Sequence, residues 1–455
     1  MSSIFSSAPA SFKQNKALFK DGSIITKLSF FIMGLYNISK GQVVKGTLFL
    51  LTEIGFIIFM MMQGFSALAG LVTLGTKSQG WVMDDSIGIE VLQEGDNSML
   101  MLIYGIATIL FIILFVCVYM AQLKSMKQIA DFEKKGLSVP TFKDDVKSLL
   151  DDRFHLTLLF IPMTGVLVFT VLPLVYMISL AFTSYDHNHL PPKNLFDWVG
   201  LANFSNVLTG RISGTFFPLL GWTLTWAVMA TATTFIFGVL LALLINRKGI
   251  KGKKIFRTLF VITMAVPQFV SLLVMRNLLH ASGPVNVFLE NIGMISEPIP
   301  FLTDGLIAKI SVIGINMWVG IPVTMLVATG ILMNLPSDQI EAAKIDGANG
   351  FQILKSITFP QILFVMTPSL IQQFVGNINN FNVIYLLTEG GPLNSNYYSA
   401  GETDLLVTWL YKLTIETADY NIAAVIGIFT FVLSAVFSLF VFTRSNSFKG
   451  EGGLG

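Results

Sequence analysis

Amide side chains recur at helical spacing inside a long apolar segment, residues 361–387. Gln373, Asn377 and Asn380 stand at i, i+4 and i+7, so an unbroken helix would carry them as one stripe. A carboxamide donates and accepts hydrogen bonds at once, which suits a ligand covered in hydroxyl groups. The alternative is that these amides only bond neighbouring helices together, as Asn and Gln often do in membrane bundles.

A second polar position lies in the apolar segment 306–333. Asn316 and Gly320 are four residues apart and would share a helix face. Gly320 carries no side chain, so a ligand could approach the backbone there. Three aromatic residues of the neighbouring segment offer flat faces on which a sugar ring could pack, namely Phe374, Phe381 and Tyr385.

The polar segment 334–360 predicts a pair of short helices joined by a turn. Ser337 is a good N-cap for a helix over 338–346. Gly347 suits the left-handed residue that ends such a helix, and a second helix is predicted over 350–358.

The first of these helices has a surface that fits a partner protein. Ala342 and Ala343 give it a slim face that could enter a groove, and Glu341 offers a carboxylate to a basic partner. On local chemistry alone, an ordinary polar loop between two apolar segments is an equally good interpretation.

Composition decides what kind of elements hold these residues. The chain has 455 residues, of which 53% are hydrophobic and 12% charged, against roughly 25% charged in an ordinary soluble domain. One cysteine and a net charge of +2 exclude a disulfide scaffold and a basic nucleic-acid binder. The sequence therefore predicts a polytopic membrane protein.

The predicted fold is all-α, a transmembrane bundle of about eight helices. Crossing a hydrocarbon layer takes about 20 apolar residues, and lipid forces the backbone to bond within each segment. The run from Ile24 to Ile38 is too short to cross and is predicted to lie at the membrane surface. The predicted spans are 46–73, 99–122, 154–184, 217–245, 258–279, 306–333, 361–387 and 421–443.

Lys and Arg are distributed unevenly among the predicted loops. With the N-terminus inside, the cytoplasmic segments hold 23 of them and the outer loops four, so both termini are predicted to be cytoplasmic. The predicted parts are an N-terminal region with a surface helix (1–45), two spans (46–122), a cytoplasmic linker (123–153), a six-helix core with the 334–360 loop (154–445) and a cytoplasmic tail (446–455).

The 334–360 loop resembles a motif of importer permeases. Glu341-Ala342-Ala343, Gly347, Ile357 and Pro360 match the spacing E-A-A-x3-G-x9-I-x-L-P of the EAA loop in ABC-transporter permeases, with Phe359 at the Leu position. The resemblance implies a type I ABC importer permease fold. It also implies that this loop docks into a separate ATPase subunit.

Three further segments are similar to sugar-importer permeases, and the last of them to the maltose and maltodextrin branch. They are Asp197 to Phe204, Asn379 to Pro392, and Ala400 to Val407. The resemblance places Asn316, Gly320 and Asn377 at sugar-contacting positions. Aromatic positions of that branch match Met264, Val323 and Gly376 here, which implies a different or roomier sugar site.

The resemblance implies a transport subunit in a bacterial cell membrane, carrying maltose, maltodextrins or related α-glucosides. Its implied partners are a second permease subunit, two ATP-binding subunits and an external solute-binding protein. No phosphate-binding glycine loop is present, so we expect no cofactor and no covalent chemistry in this chain, with ATP and Mg²⁺ bound by the ATPase partner.

Two alternatives belong to other classes. An ion-coupled secondary sugar transporter would want carboxylates or histidines at mid-depth, which are scarce. Glu53, near the start of the first span, either pairs across helices or reaches the surface. A membrane enzyme would need a polar cluster, and only His187 and His189 beside Asp186 form one, a weak metal site at best.

Overall fold

The computed structural model describes Asn15 and residues 18–84, 88–247, 249–335 and 337–444. The chain divides into two compact units, Met1–Trp198 and Val199–Gly455. Within the described residues, seven helices are long and apolar enough to cross a membrane, or eight if one bent pair counts as a span. The predicted helical bundle of about eight spans is therefore confirmed.

The first unit contains three of the long helices, two of which include a π-helical turn. The region before the first long helix, residues 24–39, is the surface segment. It is held to the second long helix by Asn37, whose Nδ2 donates to Ser125 Oγ at 2.8 Å. The elements are α1 (Ile24–Leu28), α2 (Leu35–Ser39), α3 (Val43–Thr73), β1 (Gly80–Asp84), β2 (Ile89–Gln93), α4 (Ser98–Lys134), α5 (Phe142–Leu150) and α6 (Phe154–Leu180).

Two details of this unit differ from the sequence prediction. The prediction of a single surface helix from Ile24 to Ile38 is wrong. Helices α1 and α2 are separate, because Gly34, the residue before α2, lies in the left-handed region at φ +81°. An antiparallel hairpin, β1 against β2 with Val82 opposite Val91, lies where a loop was predicted. Each strand is only five residues long, too short to stand out in a sequence dominated by long apolar runs.

Glu53, whose role the sequence left open, accepts a hydrogen bond inside the first unit. The backbone N–H of Met33 donates to Glu53 Oε2 at 2.7 Å. The carboxylate therefore ties the surface segment to α3.

The second unit carries all the candidate site residues. Its elements are α7 (Ala202–Leu208), α8 (Ser213–Asn246), α9 (Lys253–Ala265), α10 (Gln268–Leu278), α11 (Pro284–Asn291), α12 (Gly305–Met333), α13 (Ser337–Ile345), α14 (Gly350–Ile378), α15 (Phe381–Thr388), α16 (Leu406–Ile415) and α17 (Tyr420–Arg444).

The predicted span over 258–279 is sharply bent in the structure. Helices α9 and α10 meet at an angle of 93°. Val266 has extended backbone angles, φ −77° and ψ 126°, directly before Pro267. The proline ring disfavours the helical region for the residue before it, which breaks the helix at this point.

The helix observed in place of the predicted span over 361–387 begins and ends at other residues than predicted. The second loop helix predicted over 350–358 is the start of the continuous helix α14. A π-helical turn, Leu354–Thr358, lies just before Pro360, which has no N–H to donate. At its other end α14 stops at Ile378, and α15 begins at Phe381 after a short break.

Helices α8, α12 and α14 form the centre of the second unit. One buried cluster gathers around Trp226 and Ile315, and another around Val239 and Met325. The indole Nε1 of Trp226 donates to the backbone oxygen of Asn377 at 3.0 Å. This bond fixes the position of α14 along α8, and therefore where the predicted amide residues of α14 lie.

Candidate functional site

Asn377 is buried and already bonded to a neighbouring helix. Its Nδ2 donates to Thr231 Oγ1 of α8 at 3.0 Å, and its side chain is nearly inaccessible. This contact is what helix-to-helix bonding requires of an amide. A role for Asn377 in binding a hydroxylated ligand stays a prediction.

Asn316 is in a different situation on α12. Its residue is 7% exposed, and among the described residues its side-chain amide has no hydrogen-bond partner. Asn316 and the half-buried Gln373 are the candidate amides whose side chains form no hydrogen bond within the described residues, so both can bond a ligand.

The stripe that was predicted over Gln373, Asn377 and Asn380 is interrupted. Gln373 is half-buried, one turn before Asn377 on α14. Asn380 lies in the break and is the N-cap of α15, with its Oδ1 accepting from the N–H of Val383 at 3.2 Å. The prediction of one helical stripe through all three is wrong, because an Asn can bond the free N–H groups that start a new helix.

Gly320 faces another helix at very short range. A Cβ built on it would lie 2.6 Å from Thr234 Cγ2 of α8, and one built on Gly238 would lie 2.6 Å from Thr324 Cβ. Two threonines and two glycines thus interlock α8 with α12, in the manner of small residues that let membrane helices approach closely. This contact accounts for Gly320 without any ligand.

Replacing Gly320 with alanine is expected to destabilise the packing of α8 on α12 by about 1–3 kcal/mol, the usual cost of overpacking. The thermal unfolding of the purified protein in detergent measures this. Gly314→Ala on the same helix is the control, since its Cβ position has no neighbour within 4 Å. Adding Thr234→Ala should restore the stability of Gly320→Ala, and a double variant no better than the single one would contradict this explanation.

The three aromatic residues proposed to face a sugar separate into two environments. Phe374 is buried and stacks on Phe437 of α17 with ring centroids 3.7 Å apart, so neither face is open. Phe381 and Tyr385 are half-buried on α15 and lie against Tyr411 of α16. Packing against α17 therefore removes Phe374 from the candidates.

The helix predicted to meet a partner protein is present and exposed. Helix α13 spans Ser337–Ile345, and Glu341, Ala342 and Ile345 all lie on the surface, Ile345 with 86% exposure. Phe351, in the first turn of α14, is 72% exposed. Exposed apolar side chains grouped in one loop are typical of a protein interaction surface.

The turn after α13 confirms the conformation predicted for Gly347. Its φ is +81°, in the left-handed region, and an added Cβ would meet open space. The backbone N–H of Ala348 donates to the oxygen of Ala343 at 2.9 Å, which closes the helix. Glycine is needed here for its backbone angle and not for lack of room.

Two contacts in this loop were missed from the sequence. Asn349 caps α14: the Asn349 N–H donates to Gln352 Oε1 at 2.8 Å, and the Gln352 N–H donates to Asn349 Oδ1 at 2.9 Å. An Asn followed three residues later by Gln is a capping-box signal that could have been recognised. Gln361 Nε2 donates to Gln339 Oε1 at 2.5 Å and ties α13 to the body of α14.

A second group of residues missed from the sequence lies in the loop between α15 and α16. Asp404 and Lys412 form a buried ion pair at 2.6 Å, with side-chain exposures of 0% and 5%. Asp404 Oδ2 also accepts from the N–H of Gly401 at 2.7 Å, and Thr403 Oγ1 donates to the oxygen of Gly391 at 2.7 Å. These bonds join the two segments that resembled sugar permeases into one compact loop.

Two exposed or half-exposed ion pairs surround this loop. Arg276 of α10 lies 2.7 Å from Glu389, and Lys309 of α12 lies 2.8 Å from Glu402. Donation from Lys309 lowers the pKa of the Glu402 carboxyl below its usual value. Each cation is thus paired with a carboxylate of the loop.

In the predicted histidine cluster of the first unit, His189 pairs with Asp186. His189 Nδ1 lies 2.7 Å from Asp186 Oδ1. Within the part of the chain that the structure describes, no three His, Cys, Asp or Glu side chains group in a way that would hold a metal ion.

The bundle and its exposed loop define a membrane component of a transport system. Residues 234–444 match the family described as the binding-protein-dependent transport system inner membrane component. The maltodextrin transport system permease protein MalC of Streptococcus pneumoniae is 35% identical over 433 residues, covering 92% of this chain and 95% of MalC. The galactooligosaccharides transport system permease protein GanP of Bacillus subtilis is 34% identical, covering 92% and 97%.

A solved structure shows the same architecture. A chain of a bacterial ABC transporter involved in the import of the polysaccharide alginate superposes with a TM-score of 0.55 at 25% identity, covering 66% of this chain and 98% of that one. The chain belongs to the family of ABC importer permeases and is a membrane-embedded transport subunit. None of these similarities supports the ion-coupled alternative.

Proposed function

We propose that this chain forms part of the sugar pathway of an ATP-driven importer for maltodextrins or related α-glucosides. The observation that carries the coupling is α13, which exposes Glu341, Ala342 and Ile345 and is tied to α14 through Gln339 and Gln361. A displacement of α13 would therefore be transmitted to α14, the helix that carries Asn377. The substrate class is supported by MalC, whose name specifies maltodextrin and whose length is almost fully matched.

The proposal includes the partners that such a subunit needs. A second permease subunit completes the pathway, two ATPase subunits bind ATP and Mg²⁺, and an external solute-binding protein delivers the sugar. Both termini lie in the cytoplasm, so α13 faces the ATPases and the loop between α15 and α16 faces outward. Closure of the ATPases would shift the permease between two access states.

Asn316 and Asn377 are expected to respond differently to truncation. Asn316→Ala removes an amide with no partner inside the described chain, so uptake of maltotriose should fall about two- to tenfold while thermal stability is kept. Asn377→Ala removes the bond to Thr231 and should lower both. Uptake into proteoliposomes holding the complete importer and unfolding in detergent measure the two effects.

The control is Asn379→Ala, because Asn379 is an exposed amide that bonds only its own helix, at Val375. It should leave uptake and stability near those of the unmodified protein. Full uptake by Asn316→Ala would remove that residue from the sugar site.

A further inference from the structure

Three aromatic rings form a cluster at the start of α15 and on α16. Phe381 and Tyr385 stack with centroids 4.8 Å apart and planes 20° apart. Tyr411 meets both rings edge to face, at 5.0 and 5.2 Å. All three residues are half-buried, so the cluster lies at a surface of the second unit and not in its core.

The cluster occupies the side of each helix that the core leaves uncovered. On α15 the buried residues are Val383, Ile384 and Leu387, while Phe381 and Tyr385 are four residues apart and share another face. On α16 the fully buried Trp409 and Leu413 flank the half-buried Tyr411. The other sides of α15 and α16 are thus buried, and these three rings are left half-exposed beside them.

The charges beside the cluster argue against a lipid-facing position. Glu389 is the C-cap of α15, where its backbone N–H donates to the oxygen of Tyr385 at 3.0 Å, and Glu416 is the C-cap of α16. Both carboxylates are exposed, and Glu389 pairs with Arg276 at 2.7 Å. Ionised groups at a hydrocarbon surface are costly, whereas a sugar needs a flat apolar face for its ring and acceptors for its hydroxyl groups.

The position along the chain links the cluster to the predicted sugar contacts. Asn377 lies in the last turn of α14, and Asn380 caps the helix that begins with Phe381. Phe381 and Tyr385 therefore follow directly after the amide positions, toward the outward-facing loop in the proposed topology, and Tyr411 packs on them from α16.

We infer that Phe381, Tyr385 and Tyr411 form an outer subsite that stacks a pyranose ring of an α-glucan chain beyond the amide positions. Glu389 and Glu416 would accept hydrogen bonds from its hydroxyl groups. The inference rests on the proposed function and extends it from a substrate class to chain length. A disaccharide held at the amide positions would not reach this subsite, whereas a longer chain would.

Replacing aromatic rings with leucine keeps apolar volume and removes stacking. In proteoliposomes that hold the complete importer, Tyr411→Leu and Phe381→Leu should lower ATP-driven uptake of maltohexaose roughly three- to tenfold. Uptake of maltose by the same variants should stay within about twofold. Tyr411→Phe keeps the ring and should restore maltohexaose uptake. Phe288→Leu, at an aromatic residue 61% exposed on α11, is the matched control and should change neither.

The possible results distinguish a failure of the outer subsite from a failure of the proposed import function. If the unmodified importer takes up neither sugar with ATP, the proposed function itself is wrong. If it takes up both and the leucine variants lose them equally, the cluster serves packing and the subsite is refuted. Unchanged maltohexaose uptake in both leucine variants would refute it as well.

Discussion

Gly347→Pro is expected to uncouple the importer while leaving the protein in the membrane. Proline fixes φ near −65°, whereas Gly347 has φ +81°, so the turn after α13 cannot form. A proline also removes the N–H that Gly347 donates to the oxygen of Lys344 at 3.1 Å. Helix α13 would then lose its end and its fixed angle to α14. We expect uptake and sugar-stimulated ATP hydrolysis to fall at least about tenfold, since such a mismatch costs about 3 kcal/mol.

The control for this variant is Gly350→Ala, three residues further on. Gly350 is the first residue of α14, and alanine there has open space and a helical conformation. ATP hydrolysis in the assembled importer should match that of the unmodified protein. Normal coupling in Gly347→Pro would show that the turn does not fix the coupling helix.

Lys412→Met is expected to have the largest effect on stability. It leaves Asp404 as a buried carboxylate without its ion partner, and breaking one half of a buried pair costs about 3–5 kcal/mol. The Gly401 N–H would still donate to Asp404 Oδ2, but Oδ1 has no hydrogen-bond partner among the described residues, so the lost positive charge is not replaced. The free energy of unfolding in detergent, or the temperature of aggregation, measures the effect.

Two further variants make that prediction specific. Asp404→Asn combined with Lys412→Met removes both charges and keeps an acceptor for the Gly401 N–H, so it should recover most of the stability. Arg276→Gln breaks a pair whose side chains are 40% and 58% exposed, and such surface pairs contribute about 0–1 kcal/mol. Equal losses in Lys412→Met and Arg276→Gln would contradict the importance given to burial.

Long apolar runs made the bundle predictable, but local breaks in those runs were harder to recognise. The sequence placed about eight spans because each needs about 20 apolar residues. It missed the 93° bend at Val266 and Pro267, although proline restricts the residue before it. It also missed that Asn380 begins a new helix, because spacing alone treats every amide in an apolar run as part of one stripe.

The coupling loop was predictable because it is local, and the loop between α15 and α16 was not. The helix Ser337–Ile345 and the left-handed Gly347 after it follow from the backbone preferences of neighbouring residues. The Asp404–Lys412 pair and the contact of Gly320 with Thr234 join residues whose meeting depends on the fold. Only part of the aromatic cluster was predicted. Phe381 and Tyr385 lie in one segment of the sequence, whereas Tyr411 belongs to another helix and joins them only in the fold.

The most direct test of the account is uptake of maltotriose by proteoliposomes that contain this chain. With the sister permease, the ATPase subunits, the solute-binding protein and internal ATP, we expect uptake that an ionophore does not change. Omitting the ATPase subunits should abolish it. Uptake by this chain alone, driven by an ion gradient and lost with the ionophore, would contradict the account.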